Sequence, residues 1–475
     1  MNKGDLIIVN IERYAFEGKG IARMSVENEY GVSESDSFII FVTGAYPGDL
    51  VSAKVKKIKK SYAEAVTEEI LSPSPNRVQP CCKYFGSCGG CKQQDLNYEQ
   101  QTVYKREQVE DIFKHNGGFS DFKIENILPS ENVFFYRNKM EFSFSDTQWL
   151  TKKEIETDIR KNFVLGLHVP NVYDKILDVD ECFLQSELST EILNFTRDFF
   201  HKRKSTIYNT KTHSGYLRNL VIRQSQNTKD LMINLVTSEE NESLIKEYTS
   251  TITGNFPEIT TIINNVSKKK SSVAVGDYEI VYNGSGFIYD KIGDYKFRIS
   301  ANSFFQTNTL QAEKLYAIAL EYAELKGDEI IYDLYSGAGT IAIYVSKFAK
   351  EVYGFEAVES SIYDAKENLE INEIENVKFI QADLYKSFLP FTKTLPKPDV
   401  IILDPPRSGM HKNTIEDVLQ LNPQKIVYIS CNPTTQVRDI QLMVEAGYKL
   451  IKIRPVDMFP HTFHIENVAL LLKSL

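Results

Sequence analysis

The chain has 475 residues, 42% of them hydrophobic and 25% charged, with a formal net charge of −9 at pH 7. That length predicts about three domains with ample cores, and the acidic balance excludes a protein that holds nucleic acid by bulk charge, leaving local basic patches to touch phosphate. No run of about eighteen apolar residues occurs and MNKGDLIIVNIERY lacks a secretion-signal pattern, so a cytoplasmic protein without membrane contact is expected; six cysteines are too few and too clustered for a secreted disulfide framework.

Residues 1–70 read as a β-rich module. Leu6–Val9, Gly20–Arg23, Phe38–Val42, Leu50–Val55 and Ala63–Val66 are short apolar runs separated by Gly, Asn and Pro signals. Strands of that length and spacing predict a small barrel of the OB type. The run Lys54–Lys60, KVKKIKK, with Tyr62 beside it, places cations and an aromatic ring where single-strand binders carry them; a solvated charged face is the competing reading. SPSPNR, residues 72–77, reads as a linker.

Four of the six cysteines fall in CCKYFGSCGGC, residues 81–91. The spacing Cys82-x5-Cys88-x2-Cys91 puts three thiols on one glycine-containing loop, close enough to share a metal centre. A fourth ligand is missing locally, and Cys182 in DVDECFLQS is the remaining cysteine that could reach it. Thiolate-rich sites suit an iron–sulfur cluster or zinc. Structural zinc usually shows paired short spacings, and one is present here, which favours a cluster; a redox C-x-x-C would leave the extra cysteine idle.

Residues 97–115 read as a helix that ends before Gly117-Gly118. From about 125 to 300, strands and helices alternate without a ligand motif. Tyr136 to Lys139, His201 to Lys204, Arg218, Asn219, Arg223 and Lys268 to Lys270 are basic or aromatic groups able to touch RNA, though each is also ordinary surface. In ISANSFFQTNTLQ, residues 299–311, an aromatic pair and two amides precede a helix.

DEIIYDLYSGAGTIAI, residues 328–343, is an apolar strand, an acidic residue, a Gly-rich turn and a helical run. Glycines allow close backbone approach to a ligand, and the following helix start offers unpaired N–H groups. VYGFE (352–356) then supplies a strand ending in a carboxylate, the group that holds a ribose hydroxyl pair in nucleotide-binding α/β folds. VKFIQAD (377–383) and VIILDPPR (400–407) repeat the pattern, so four successive strand tips carry polar groups and form a binding edge. The strand Ile426–Ile429 ends in Ser430-Cys431-Asn432-Pro433, with Pro433 suited to the first turn of a helix. A thiol there, beside a helix start, is expected to have a lowered pKa and nucleophilic character; a buried, inert cysteine is the plain alternative.

The set C-x5-CGGC, SFFQTN, DLYSGAGTIAI, LDPPRSG, SCNP and HIENVALL, in this order along essentially the whole chain, resembles the bacterial RNA (uracil-5-)-methyltransferases with an N-terminal TRAM domain and a [4Fe-4S] cluster, of the type that forms 5-methyluridine in 23S rRNA. The resemblance implies that Cys82, Cys88, Cys91 and Cys182 ligate the cluster, with Cys81 an extra neighbouring thiol. It implies that Gln306, Tyr335, Thr340, Glu356, Asp383 and Asp404 line an S-adenosyl-L-methionine site, that Cys431 is the nucleophile and that Glu466 is the base. Glu466 lies in an apolar segment that would raise its pKa toward the range of a general base.

The expected architecture is therefore multidomain α/β: a TRAM-like, OB-like RNA-binding barrel (1–70), a central α/β domain with the iron–sulfur loop and an RNA-binding surface (78–298), and a Rossmann-like methyltransferase domain (299–475) against which the helix 97–115 packs. The expected function is S-adenosylmethionine-dependent methylation of uracil C5 in RNA, 23S rRNA before tRNA, by a monomer. An amino-group methyltransferase would share the DPP tip but need neither Cys431 nor Glu466, and a non-catalytic RNA-binding factor with a redox-sensing cluster would need no nucleophile.

Overall fold

The computed structural model describes residues 1–25, 37–150, 152–155, 162–170, 172–270 and 274–474. In the N-terminal part, strands β1 (Leu6–Asn10), β2 (Arg13–Ala15), β3 (Lys19–Ser25), β4 (Ser37–Thr43), β5 (Leu50–Ile58) and β6 (Tyr62–Ser72) form one sheet in the order β1-β5-β6-β4-β3-β2. The period-two alternation of β5 sends Val51, Ala53 and Val55 inward and Lys54, Lys56 and Lys57 outward. The sheet curls until β1 meets β3 around Val9, Ile40, Val42 and Ala65. β2 has three residues and gave no sequence signal; its hairpin turns on Glu17 (φ 66°) and Gly18 (φ 80°). Lys56 and Lys57 pair with Glu68 (3.9 Å) and Glu64 (3.6 Å), so part of the basic run is answered within its own sheet.

The stretch expected to be a linker is instead a clamp. Ser74 is buried, and the Arg77 guanidinium donates to Asp49 (2.8 Å) and Asp95 (2.5 Å) while covering the Tyr46 ring at 4.6 Å. Pro and Ser set the backbone, but the buried Asp49 carboxylate decides where the segment goes.

A second sheet holds β8 (Lys139–Ser145), β9 (Val164–Val169), β10 (Val172–Asp178), β11 (Leu217–Gln224), β12 (Leu231–Thr237), β13 (Thr261–Val266) and β14 (Tyr278–Asn283), ordered β10-β9-β8-β11-β12-β13-β14. Helices Glu187–Lys202 and Glu242–Asn255 cover it through Ile192, Phe199, Phe200, Tyr248 and Ile252. Tyr136, Arg218, Asn219 and Arg223, singled out as groups able to touch RNA, are buried here. Arg223 donates to the Ser303 carbonyl (2.6 Å) and Arg218 to those of Ser267 (2.9 Å) and Lys269 (2.7 Å), so these cations serve the backbone of neighbouring loops.

The third sheet carries β17 (Ile330–Leu334), β18 (Glu351–Glu356), β19 (Val377–Gln381), β20 (Val400–Leu403), β21 (Lys425–Ser430), β22 (Tyr448–Val456), β23 (Glu466–Lys473) and the short β7 (Lys123–Ile124), ordered β19-β18-β17-β20-β21-β23-β22-β7. β19 through β21 are parallel, and β23 inserts antiparallel between β21 and β22. β17, β20 and β21 are apolar and buried on both faces, as parallel strands between helices must be. One face packs on the helix Thr309–Ala323 and the other on the helix Pro433–Glu445.

Two segments cross the boundaries expected from sequence. The hairpin β15 (Phe287–Ile292) and β16 (Tyr295–Ser300) spans residue 298, and Arg298 binds Asp364 at 2.6 Å on the helix Glu359–Ile371. The helix Tyr98–Asp111 continues as one π-helical stretch, Ile112–Asn116, and packs on the third sheet through Val109, Ile112 and Phe113. Among the described residues no helix is long and apolar enough to cross a membrane.

Candidate functional site

Parallel register brings the strand ends together: Leu334 stands beside Phe355 and Leu403, Leu403 beside Tyr428, and Glu356 beside Gln381. The strand order reverses between β17 and β20, the crevice where open α/β sheets take ligands. Tyr335 leaves β17 in the left-handed region (φ 66°), and Gly339 (φ 80°) starts the helix Thr340–Val345. A Cβ on Gly339 would lie 2.4 Å from the Phe379 ring, so the loop needs glycine for packing as well as for its turn. Glu356 faces this loop and accepts the Gly337 N–H at 3.0 Å and those of Ala357 and Val358 at 2.8 Å.

The other expected cofactor residues lie on the same edge or border it. The Thr340 hydroxyl meets that of Tyr316 at 3.1 Å, and the Tyr335 hydroxyl reaches Thr414 at 3.5 Å. Asp383 is exposed at the tip of β19; the Tyr385 N–H and then Lys386 hold its carboxyl below the usual range. The carbonyl of Gln306 accepts Asn138 Nδ2 at 2.8 Å, and Asn308 donates to the Met458 carbonyl at 3.0 Å, tying this segment to the loop before β23. Asp404, partly buried at the tip of β20, has its carboxyl raised to about 7 by burial.

Beyond them, Asp333 is fully buried next to the end of β17, with Oδ2 accepting the Ala342 N–H at 3.1 Å and Oδ1 without a partner among the described residues. Burial first, then Asp404 and Glu356, push its carboxyl well up. The signal that could have found it is a carboxylate inside an otherwise apolar strand immediately before a glycine loop.

Cys431 follows β21. Ser430 pairs with Asn467 across the antiparallel β21–β23 ladder, and one further step of that register sets Cys431 alongside Glu466. The position is locked locally: Asn432 caps the next helix by accepting the Thr434 N–H (3.1 Å) and donates to the Arg407 carbonyl (3.1 Å), while buried Gln436 and Asn467 bond at 2.7 Å. The thiol does not have the lowered pKa expected from a helix start. Burial pushes it up to about 12, with Glu466 and Asp404 adding to the rise and Arg407 opposing it. The cap residue occupies the helix end, and two carboxyls outweigh the dipole. Glu466 is 5% exposed, and burial, then Asp404, raises its carboxyl well above the ordinary range.

The loop leading to Glu466 is tied to the cysteine-rich segment. The His461 carbonyl accepts the N–H groups of Lys92 (2.7 Å) and Gln93 (3.0 Å), and its ring stacks on Phe134 at 4.4 Å. Burial lowers both His461 and His464 to about 4, leaving neutral imidazoles beside the site. A buried Lys105–Asp457 pair (2.7 Å) fastens the helix Tyr98–Asp111 to the same loop.

Cys82, Cys88, Cys91 and Cys182 line one small cavity with Tyr84, Leu167 and Leu184, whereas Cys81 is exposed and outside it. Burial raises all four thiols, Cys91 to about 12 and Cys182 to about 11. Gln94 Nε2 donates to Cys91 Sγ at 3.2 Å, and the Gly90 N–H to Cys88 Sγ at 3.3 Å. Among the described residues no three His, Cys, Asp or Glu side chains are drawn together to hold a single metal ion.

Residues 288–474 match the family described as tRNA (Uracil-5-)-methyltransferase, and residues 2–67 match the TRAM domain. A Chlorobaculum tepidum protein named an uncharacterized RNA methyltransferase is 41% identical over 98% of this chain and 96% of its own. One of Bacteroides thetaiotaomicron, with the same name, is 41% identical over 96% of this chain and 99% of its own. The chain belongs to the RNA (uracil-5-)-methyltransferases. Its fold is that of a solved member, the Pyrococcus abyssi tRNA (uracil-54, C5)-methyltransferase in complex with S-adenosyl-L-homocysteine, with a TM-score of 0.73 and 30% identity over 98% of this chain and all of that one. In this methyltransferase, then, the glycine loop, Glu356, Asp404, Cys431 and Glu466 lie along one edge of the third sheet.

Proposed function

We propose that this RNA methyltransferase forms 5-methyluridine in 23S rRNA through a covalent adduct between Cys431 and uracil C6, with S-adenosylmethionine as methyl donor. The observation that carries the reading is the β21–β23 register, which pairs Ser430 with Asn467 and so sets Cys431, one residue past the ladder, near Glu466 at the end of the crevice that begins at the glycine loop. Uracil C5 is a weak carbon nucleophile. Addition of the Cys431 thiolate to C6 places the electron pair on an enolate, whose C5 attacks the methyl group while the methyl–sulfur bond breaks. The Glu466 carboxylate then takes the C5 proton, the C6–sulfur bond breaks and the thiolate returns, so one methyl enters and one proton leaves.

Three acids with raised pKa values share this end of the site. When bound, S-adenosylmethionine supplies the methyl group and a fixed positive charge. A positive charge held near Cys431 and Glu466 would ease the loss of their protons. Gln306, Tyr335, Thr340, Glu356, Asp383 and Asp404 would hold the cofactor. The target base must leave its stack to reach Cys431.

Cys82, Cys88, Cys91 and Cys182 fit a [4Fe-4S] cluster: four half-buried thiols ring one nearly apolar cavity, arranged around a space rather than a point. When bound, the cluster would cross-link the loop 82–91 to Cys182. The division into a TRAM barrel, a central domain and a methyltransferase domain, acting as a cytoplasmic monomer, completes the reading. The motif resemblance to the 23S rRNA type supports 23S rRNA, and the likeness to a tRNA uracil-54 enzyme over 98% of the chain supports tRNA as the second reading. Mapping 5-methyluridine by mass spectrometry in RNA from cells lacking the protein decides between them. Trapping with 5-fluorouridine RNA tests the adduct: no covalent protein–RNA species would overturn it.

A further inference from the structure

The loop that delivers Glu466 to the site is held by its main chain. Four successive carbonyls, those of Met458, Phe459, Pro460 and His461, accept hydrogen bonds from four other parts of the molecule. The donors are Asn308 Nδ2 (3.0 Å), Lys105 Nζ (3.2 Å), the Tyr136 hydroxyl (3.1 Å) and the N–H groups of Lys92 (2.7 Å) and Gln93 (3.0 Å). Asn308, Lys105 and Tyr136 are buried side chains. Lys92 and Gln93 differ in kind, since they belong to the turn that follows Cys91, and residues 73–97 contain no helix or multi-residue strand. That turn owes its shape to side chains and to what its thiols hold.

The residue it grips is strained. His461, five residues before Glu466, has φ 62°, the left-handed region that disfavours a residue with a side chain. Such a conformation persists where the surroundings over-determine it. Here the fully buried Gln101 accepts the His461 N–H at 2.9 Å through Oε1, while its Nε2 donates to the carbonyls of Gln93 (2.9 Å) and Leu96 (2.8 Å). One side-chain amide thus ties both sides of the contact. The next residue along, Gln94, serves the cysteine site: its Oε1 accepts the Cys82 N–H at 3.2 Å and its Nε2 donates to Cys91 Sγ at 3.2 Å.

From this we infer that His461 is the joint through which the cysteine site sets the position of Glu466, with Gln101 its positioning residue. With their shared metal centre bound, the thiols fix the 91–94 turn; the turn and Gln101 hold His461 in its left-handed conformation, and His461 fixes the approach to β23. The inference rests on the methylation reading for the role of Glu466, but the joint itself does not. Cys431 is held separately, by the Asn432 cap and the β21–β23 ladder. Loosening the joint should therefore slow the proton-abstraction step more than the addition step.

Hydrogen–deuterium exchange on the full-length protein tests the joint without turnover. Stripping the metal with ferricyanide and a chelator, followed by loss of visible absorbance, should speed exchange in a peptide spanning residues 457–465 about tenfold, the order expected for two lost backbone bonds, and leave β17 unchanged. Gln101→Met keeps the side-chain length and removes its bonds; in the metal-loaded protein it should raise exchange in the same peptide. In single turnover on substrate RNA, Gln101→Met should form the methylated adduct within about twofold of the parent rate and release it about tenfold more slowly. A methyl-labelled protein–RNA band then builds up on a denaturing gel, whereas a general packing defect would slow both steps alike. His461→Val, whose β-branched side chain resists the left-handed region, should build up the same band, and His461→Asn, which tolerates that region, should build up less of it. The inference is overturned if stripping the metal leaves exchange in 457–465 unchanged, if Gln101→Met slows formation and release by one factor, or if the two His461 variants behave alike. Should the parent form no adduct while exchange in 457–465 still follows the metal, the function proposed above falls and the joint stands.

Discussion

Half-buried cysteine occurs at two places in this molecule, and loss of solvent pushes the thiols up in both. Three thiols of the 82–91 loop and that of Cys182 face one cavity, with one another among their charged neighbours; at the tip of β21 a single thiol faces Glu466 and Asp404, with Arg407 opposing them. Each site gathers several acids that burial makes hard to ionise. What completes it differs: four thiolates need a centre that bonds to all of them, whereas one thiol with a carboxyl beside it needs only a transient cation and a place to send a proton. A raised thiol pKa therefore says little about role, and the company of the thiol says most of it.

The largest expected effect is the loss of one side of that comparison. Cys431→Ala should reduce methyl transfer below detection and abolish adduct formation, while RNA affinity stays within about twofold, since binding rests on phosphate and base contacts elsewhere. Glu466→Gln should separate the steps: addition and methyl transfer proceed, the C5 proton stays, and a denaturing gel shows a protein–RNA band carrying methyl label. If both variants lack adduct and label alike, Glu466 is not the base and the proton acceptor must be sought at His464 or water.

On the other side, Cys182→Ser should remove the broad brown absorbance and iron of anaerobically purified protein and lower stability by about 4 kcal/mol, the order expected for losing a cross-link that closes a loop of about a hundred residues. Cys81→Ser should change neither, because Cys81 lies outside the cavity. Zinc in place of iron and sulfide, or equal losses in the two variants, would break the assignment.

These assignments were unevenly legible in the sequence. The glycine loop, the acidic strand tips and the spacing Cys82, Cys88, Cys91 were readable because each is local. The pairing of Cys431 with Glu466 was not derivable from pattern alone, since it depends on β23 inserting between β21 and β22, a long-range choice that periodicity cannot report. The same blindness hid β7, which joins a sheet hundreds of residues away in sequence, whereas the packing of the helix Tyr98–Asp111 on that sheet is as expected. The sign of the thiol shift was misjudged because a helix start is visible in sequence, while the burial of Cys431 and the two carboxyls that converge on it are not. Arg218 and Arg223 looked like surface cations because burial is set by which loops lack partners for their carbonyls.

A smaller effect tests the cofactor edge that only the Cys431 site possesses. Glu356 is held by three backbone N–H groups facing the glycine loop, the position from which a carboxylate accepts from a ribose hydroxyl pair. Glu356→Ala should weaken S-adenosylmethionine binding roughly ten- to a hundredfold, since charge-assisted bonds are worth about 1.5–3 kcal/mol each. Calorimetry showing unchanged affinity would remove Glu356 from the site.

The smallest effect concerns Arg407, a cation that favours the Cys431 thiolate. A cation lowers a thiol pKa, so Arg407→Gln should raise it further and leave less thiolate at any pH below it. Arg407 is exposed and its influence is screened by solvent. A shift of about half a unit is therefore expected, slowing single-turnover adduct formation on 5-fluorouridine RNA about threefold at pH 7. Rates of both proteins should climb with pH as thiolate accumulates, and the gap should close at alkaline pH, where ionisation no longer limits. Raising salt should shrink the gap as well, because added ions replace the screening that distance does not provide. A variant slower by the same factor at every pH and salt concentration would show instead that Arg407 positions the RNA, and the thiol would then owe its ionisation to the bound cofactor alone.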